Sequence, residues 1–389
     1  MYYNFDKQID REHTNCTKYD GCKEIFGAPD LIPLWVADMD FCTPDFVFDA
    51  IEERLKHPFL GYFIHSDGFY KSIINWMKRR HDWKVEKDWI YFATGVMPSL
   101  FFLIQAFTAP GDKVLVQPPV YGPLCSVINN QGREIVRNPL KLVKDHYEMD
   151  FNHFEYCLRQ GVKVIILCNP HNPLGRCWSK GELKDMGDLC LKYNCLIVSD
   201  EIHSDLIMPG YKHTPIANIS EEISQNSIVC MSPSKTFNLA GLSASEIIIP
   251  NASLRRRFEI FKQGTHLFAG DIFGELALER CYTAGDEWLS QLVQYLKENV
   301  DYIQQYIKSN LSEIKTFRHE ATYLPWLDFS DMGLSHEHLS KLLVEKAKIA
   351  LTDGANFGKE GELHFRINIA CPRRILEKSM NLLRNAFCT

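Results

Sequence analysis

Apolar residues occur along this chain in two patterns. Short, almost wholly apolar runs at 90–93, 113–117, 163–168, 195–199, 227–231 and 246–249 predict strands buried on both faces. Longer stretches between the earlier runs, such as 98–107 and 180–193, repeat their apolar positions at three and four residues, the spacing of a helix that packs along one side. Strand alternating with helix predicts an α/β fold whose mostly parallel sheet is covered by helices on both faces. The last connection differs. Only the 14 residues 232–245 join the final two runs, and Pro233 and Gly241 lie among them. That is barely enough for a helical crossover, so the run at 246–249 is expected to lie antiparallel to its neighbour.

Beyond residue 285 the texture changes. The stretch 286–310 reads as one long helix, 323–329 and 363–369 as strands, and 374–386 as a final helix. The expected organisation is an N-terminal arm (1–45) with no clear element, packing on a small domain. A large domain (46–285) and a smaller α+β domain (286–389) follow.

Composition narrows the class. A chain of 389 residues with 46% apolar and 24% charged residues can bury a sizeable core, which excludes disorder. Lys and Arg number 43 against 49 Asp and Glu, a net charge of −6, so neither nucleic acid nor an anionic membrane is an expected partner. The chain lacks the run of about 18 apolar residues that a spanning helix needs, and its start, MYYNFDKQIDREHTN, lacks the apolar core of a secretion signal. Thirteen scattered cysteines without a CxxC pair read as reduced packing thiols, which predicts a cytoplasmic protein.

Common nucleotide and nucleophile motifs are missing: neither GxGxxG nor GxxxxGK[ST] occurs. Gly241-Leu242-Ser243-Ala244-Ser245 lacks the second glycine of a nucleophile elbow. His336-Glu337-His338 has the wrong spacing for two ligands on one helix face, so no metal site is expected. What remains is a set of residues that follow the apolar runs. Lys235 lies in Ser232-Pro233-Ser234-Lys235, Asp200 ends Ile197-Val198-Ser199-Asp200, and Asn172 lies in Asn169-Pro170-His171-Asn172. Tyr121 follows Gln117-Pro118-Pro119-Val120, and Thr94-Gly95-Val96-Met97 opens a helix whose free N–H groups can hold an anion. Singly, these read as a solvated lysine, a cap, a proline-rich turn and a core aromatic. Together they put an amine, a carboxylate, an amide, a ring and an anion pocket on one sheet edge, where open α/β folds bind ligands. Pyridoxal 5′-phosphate requires that set. Separately, His364, Arg366 and Asn368 alternate with Phe365, Ile367 and Ile369, the pattern of a half-buried strand.

With these motifs in order, the chain resembles the fold-type I pyridoxal-phosphate enzymes of aminotransferase class I/II. Within them it is similar to the MalY/PatB branch, the bacterial cystathionine β-lyases or C–S lyases. The resemblance runs from Pro33-Leu34-Trp35-Val36-Ala37-Asp38-Met39-Asp40-Phe41 to Arg366-Ile367-Asn368-Ile369-Ala370-Cys371-Pro372-Arg373. Asp200-Glu201-Ile202-His203 and the residues after Lys235 carry it too. It implies a mostly parallel seven-stranded sheet sandwiched by helices, and pyridoxal 5′-phosphate as cofactor. By the resemblance Lys235 holds the cofactor as an imine, Asp200 pairs with the pyridine nitrogen and Tyr121 stacks on the ring. Asn172 bonds the ring 3′ oxygen, and Gly95, Val96, Met97, Ser232 and Ser234 surround the phosphate. His203 stands near the ring oxygen, where aminotransferases usually have tyrosine. Tyr62 would reach the neighbouring subunit's cofactor, making the site a shared feature of a homodimer. Arg366 would fork onto the substrate carboxylate, with Ala37, Asn172 and Tyr62 beside the substrate. Ser243 occupies the position eight after Lys235, where many aminotransferases carry a phosphate-binding arginine; the departure favours the lyase branch. The implied reaction is β-elimination from L-cystathionine or a related cysteine S-conjugate to pyruvate, ammonia and a thiol. Transamination, or a lyase with a second, regulatory protein-binding role, are the alternatives.

Overall fold

Alternation within Val164–Cys168 organises the large sheet: Val164, Ile166 and Cys168 enter one apolar layer, Ile165 and Leu167 the other. All five are buried, which explains why the strand reads as a continuous apolar run. The chain, described from a computed structural model, is characterised at residues 2–265 and 270–387. Its seven-stranded sheet comprises β1 (Ile90–Ala93), β2 (Lys113–Val116), β3 (Glu134–Arg137), β4 (Val164–Cys168), β5 (Leu196–Asp200), β6 (Ser227–Met231) and β7 (Ser245–Ile248), in the spatial order β1-β7-β6-β5-β4-β2-β3. β2 to β6 pair in parallel. β7 is antiparallel to both β1 and β6, as the short connection required. β3 was not singled out by the apolar pattern. It is an edge strand with only Val136 buried, so its sequence carries no long apolar run.

Helix α1 (Asp67–His81) and helix α2 (Val96–Phe107) belong to opposite layers. α2 places Val96, Leu100, Leu103 and Ile104 against Val114, Val116 and Val198. On the other face Trp76 of α1 stacks on Tyr282 at 4.9 Å, with Phe237 6.0 Å from Trp76. Tyr282 belongs to α3 (Ile272–Ala284), and α4 (Asp286–Asn310) follows with the bounds expected of it.

The C-terminal portion forms a four-stranded antiparallel sheet of β8 (Lys315–Thr316), β9 (Trp326–Asp328), β10 (Thr352–Asp353) and β11 (His364–Arg366), in the order β8-β9-β11-β10. β9 and β11 are shorter than the expected 323–329 and 363–369. Beyond their ends the pairing continues as separate bonds, from Ile367 N to the Pro325 carbonyl (2.9 Å) and from Ile369 N to that of Tyr323 (3.0 Å). α5 (Arg373–Phe387) closes the chain. The first 45 residues do hold elements, contrary to the sequence reading. Two short helices (Thr17–Asp20 and Cys22–Phe26) precede Ile32–Pro33, which pairs in parallel with Ile349–Ala350. Pieces this short cover too few positions to display a period. Among the described residues no helix is long and apolar enough to cross a membrane.

One buried carboxyl stands out in this core. Glu246 of β7 is fully buried and accepts the Tyr282 hydroxyl, while its second oxygen has no partner. Burial pushes its pKa up to about 8, from 4.5 for an ordinary glutamate. Between these values the unfolded chain ionises Glu246 and the folded chain does not, so this residue makes stability fall as pH rises through that window. Glu246→Gln should flatten that fall by about 1 kcal/mol or more. Urea unfolding of both proteins at pH 5 and pH 8 measures it, and equal slopes would reject the assignment.

Candidate active site

β4, β5 and β6 end together: Cys168 pairs with Asp200, and Asp200 with Cys230. Sheet parallelism therefore delivers the segments that follow them to one edge, where a cavity of about 540 Å³ opens. Gly95, Val96, Met97, Tyr121, Asn172, Asp200, His203, Ser232, Ser234 and Lys235 all line it. Ala37 from the N-terminal portion and Arg366 of β11 line it as well. Tyr62 does not. Its side chain is fully exposed on a stretch that also exposes Leu55, Phe59, Leu60 and Ile64.

Lys235 is half-buried and its Nζ donates to the Ala37 carbonyl at 2.7 Å, as does the Tyr323 hydroxyl at 3.1 Å. Burial lowers the lysine pKa to about 8, Arg366 acting the same way and Asp38 and Asp200 opposing them. Asp200 is buried, and its carboxylate accepts the Ile202 N–H at 3.2 Å. Burial raises its pKa to about 6, against the pull of that N–H and of Lys235. His203 is buried with an unpartnered Nδ1, and burial, with the charges of Lys235 and Arg366, presses its pKa to about 3, so the ring is neutral.

Helix α2 begins at Gly95, whose φ of 115° is open to glycine and strained for other residues. Val96 and Met97 line the cavity, and as first-turn residues their N–H groups have no acceptor inside the helix. The Ser232 hydroxyl donates to the Ala244 carbonyl at 2.6 Å, and the Ser234 N–H donates to the Ser232 oxygen at 3.0 Å. Ser243, in the left-handed region at φ 46°, joins the lining with a short side chain.

Arg366 is the most constrained group. It is 4% exposed and stacks over Phe357, 5.0 Å from the ring centre. Its Nη1 donates to Asn172 Oδ1 at 3.0 Å, and its Nη2 to the Trp35 carbonyl (3.0 Å) and Thr352 Oγ1 (3.1 Å). Thr352 is its cross-strand neighbour on β10. Among the described residues no carboxylate pairs with it, and its Nε is buried without a partner. The half-buried strand expected here is instead buried on both sides at Phe365 and Arg366, because the arginine face closes the cavity. The sequence reading missed Trp35 and Thr352 as partners of Arg366. Trp35 lay within a motif already singled out, whereas Thr352 meets Arg366 only through strand pairing.

The lining of this cavity matches the groups of pyridoxal 5′-phosphate. An anion fits the free N–H groups of α2, a ring nitrogen fits the buried Asp200, and an aldehyde fits the half-buried Lys235 amine. His203 offers an unsatisfied ring nitrogen beside them. The cavity also lies in the size range of cofactor sites. The residues fit the group.

A carboxyl-edge lysine and acid on such a sheet, with an arginine brought from a second sheet, define the fold-type I class of pyridoxal-phosphate enzymes. The chain belongs to the aminotransferase class I and II family, whose model matches residues 29–380. Cystathionine beta-lyase PatB of Bacillus subtilis (strain 168) is 41% identical over 98% of this chain and 99% of its own. Protein MalY of Escherichia coli (strain K12) is 31% identical over 99% and 98% respectively. A PLP-bound C–S lyase from Staphylococcus hominis, solved with the inhibitor L-cycloserine, superposes with a TM-score of 0.93 at 33% identity, covering 100% of this chain and 98% of that one.

The depressed Lys235 pKa has a direct consequence. Early-time trapping of pyridoxal 5′-phosphate on the apoprotein with borohydride should rise with pH with a midpoint near 8. Peptide mass analysis follows it; a midpoint near the ordinary lysine value of 10.5 would show that the amine is not desolvated.

Proposed function

We infer that this protein is a pyridoxal 5′-phosphate-dependent carbon–sulfur β-lyase that converts L-cystathionine or related cysteine S-conjugates to pyruvate, ammonia and a thiol. One observation carries the substrate side: Arg366 is a buried guanidinium with no carboxylate partner among the described residues. Burying a cation without an anion is costly, and an amino acid's α-carboxylate supplies the missing charge through a two-pronged bond. Relatives named cystathionine beta-lyase and a C–S lyase structure support the reaction class.

The bound cofactor supplies the electron sink that makes a substrate α-proton acidic. The protein's own residues do the rest. Arg366 anchors the carboxylate and so orients the Cα–H bond. Lys235, with its pKa lowered to about 8, holds about a tenth of its amine free at pH 7, far more than an ordinary lysine does, and is placed to take that proton. Asp200 would pair as a carboxylate with the protonated ring nitrogen, and that positive charge would pull its pKa back below the value of about 6 that burial gives it. Val96 and Met97 would hold the phosphate with N–H donors, and Tyr121 would cover the ring. With sulfur on the β-carbon, the electron pair left at Cα forms the Cα=Cβ bond as Cβ–S breaks, the sulfur leaves as a thiolate that takes up a proton, and water hydrolyses the released enamine to pyruvate and ammonia.

The same reading makes the protein a cytoplasmic homodimer. Every cysteine among the described residues is free, as expected of a reducing compartment. The exposed apolar side chains at 55–64 are suited to burial against a second copy, which would carry Tyr62 to the partner's cavity. Within the subunit, 46–285 would form the cofactor domain and 286–389 the small domain, with 1–45 bound to the latter through Ile32–Pro33.

Incubation with L-cystathionine and assay of pyruvate tests the function, against amino-group exchange with a 2-oxo acid. Pyruvate release is expected; exchange alone would overturn the reading. Lys235→Ala should abolish release. Arg366→Ala should lower kcat/KM by on the order of 10²- to 10³-fold, as truncating one side of a buried charge pair does. Near-wild-type rates in either variant would remove that residue from its role.

A further inference from the structure

The segment 35–41 passes between the two charged groups that would handle substrate. Its Ala37 carbonyl accepts Lys235 Nζ at 2.7 Å, and its Trp35 carbonyl accepts Arg366 at 3.0 Å. From inside the fold, amides hold this stretch. Asn368 Nδ2 donates to the carbonyls of Val36 (2.6 Å) and Asp38 (2.8 Å), and Asn238 bonds both the N–H and the carbonyl of Met39 at 3.0 Å.

From outside, cations of the N-terminal arm hold it. Arg11 forks onto both Asp38 oxygens at 3.0 and 2.9 Å, and donates to the Met39 carbonyl (2.8 Å) and the Asp40 carboxylate (2.9 Å). Lys18 is fully buried, and its Nζ donates to the Asp38 carbonyl at 2.9 Å and Asp40 Oδ2 at 2.8 Å. Asn368 and Asn238 already satisfy much of the backbone. The arm's distinctive contribution is positive charge on two carboxylates, one of them next to the Ala37 that receives the lysine.

We infer that Arg11 and Lys18 are positioning residues: docked on Asp38 and Asp40, they fix the Ala37 carbonyl over Lys235 and offset the negative charge beside it. Asp38 draws Lys235 toward its charged form more strongly than Asp200 does, so uncovering Asp38 favours the protonated nitrogen. The other ionisable groups around Lys235 are Asp200 at the end of β5, His203 just after it, Arg366 of β11, Tyr121, and Tyr323 on the same carbonyl. Substitutions in the arm leave all of these in place.

The inference rests on Lys235 being the cofactor lysine, and the test separates the two. The holoenzyme's yellow absorbance, from the imine between cofactor and Lys235, is titrated with pH. Arg11→Ala should raise the midpoint by about one pH unit, Arg11→Lys should restore most of it, and Asp38→Asn, which keeps the shape and removes the charge, should lower it. An unmoved midpoint in Asp38→Asn overturns the proposal even if Arg11→Ala does not fold. So does an Arg11→Ala protein that loses thermal stability with its midpoint unchanged, since that is what a merely structural arm would do. A wild-type protein with no yellow band that borohydride removes would fail the cofactor reading itself.

Discussion

A buried cation with no anion beside it among the described residues constrains this molecule more than any other single feature. The Arg366 guanidinium is 4% exposed, and its protein acceptors are neutral: an asparagine amide, a backbone carbonyl and a threonine hydroxyl. Those acceptors come from different parts of the chain. Asn172 follows a strand of the large sheet, Thr352 lies in the small sheet, and Trp35 precedes both. Satisfying one side chain therefore ties three regions together, and any displacement among them leaves a buried charge short of partners. Neutral acceptors also keep the electrostatic demand unmet, so a carboxylate entering the cavity finds a strong, oriented attraction.

The large sheet turns topology into chemistry. Parallel strands deliver successive loops to one edge, so residues far apart in sequence converge without any local motif that joins them. The cost is that the edge lies deep. Depth lowers the lysine's pKa and raises that of Asp200, which brings the two toward neutral pH from opposite directions. The same burial acts on both; the opposite signs follow from their opposite charges.

Much of this was legible in the sequence because it rests on short-range order. Val164–Cys168 is apolar at every position because both its faces are covered, and α4 announces itself through a long helical period. Asp200, Lys235 and Asn172 could be placed because each directly follows such a run. The edge strand β3, with one buried residue, offered too little contrast. The arm's helices were too short for periodicity to register. Thr352 was invisible for a different reason: its tie to Arg366 comes from pairing between β10 and β11, and nothing near residue 352 encodes the identity of its partner. Arg366 illustrates a misleading signal. Alternation suggested one wet face, yet that face turns toward an enclosed cavity, and polarity there reflects chemistry more than solvent.

The opening of helix α2 has an evolutionary corollary. A grip made from the peptide N–H groups of Val96 and Met97 belongs to the main chain, so almost any codon change at those two positions leaves the donors standing; only proline deletes one. Gly95 is the vulnerable point, since its φ of 115° excludes comfortable replacement. Genetic drift can therefore change the side chains of this turn, within what packing around the buried Val96 allows, without erasing the donors while the glycine ahead of it stays locked, a robustness that a guanidinium-based grip, erased by one missense change, would not possess.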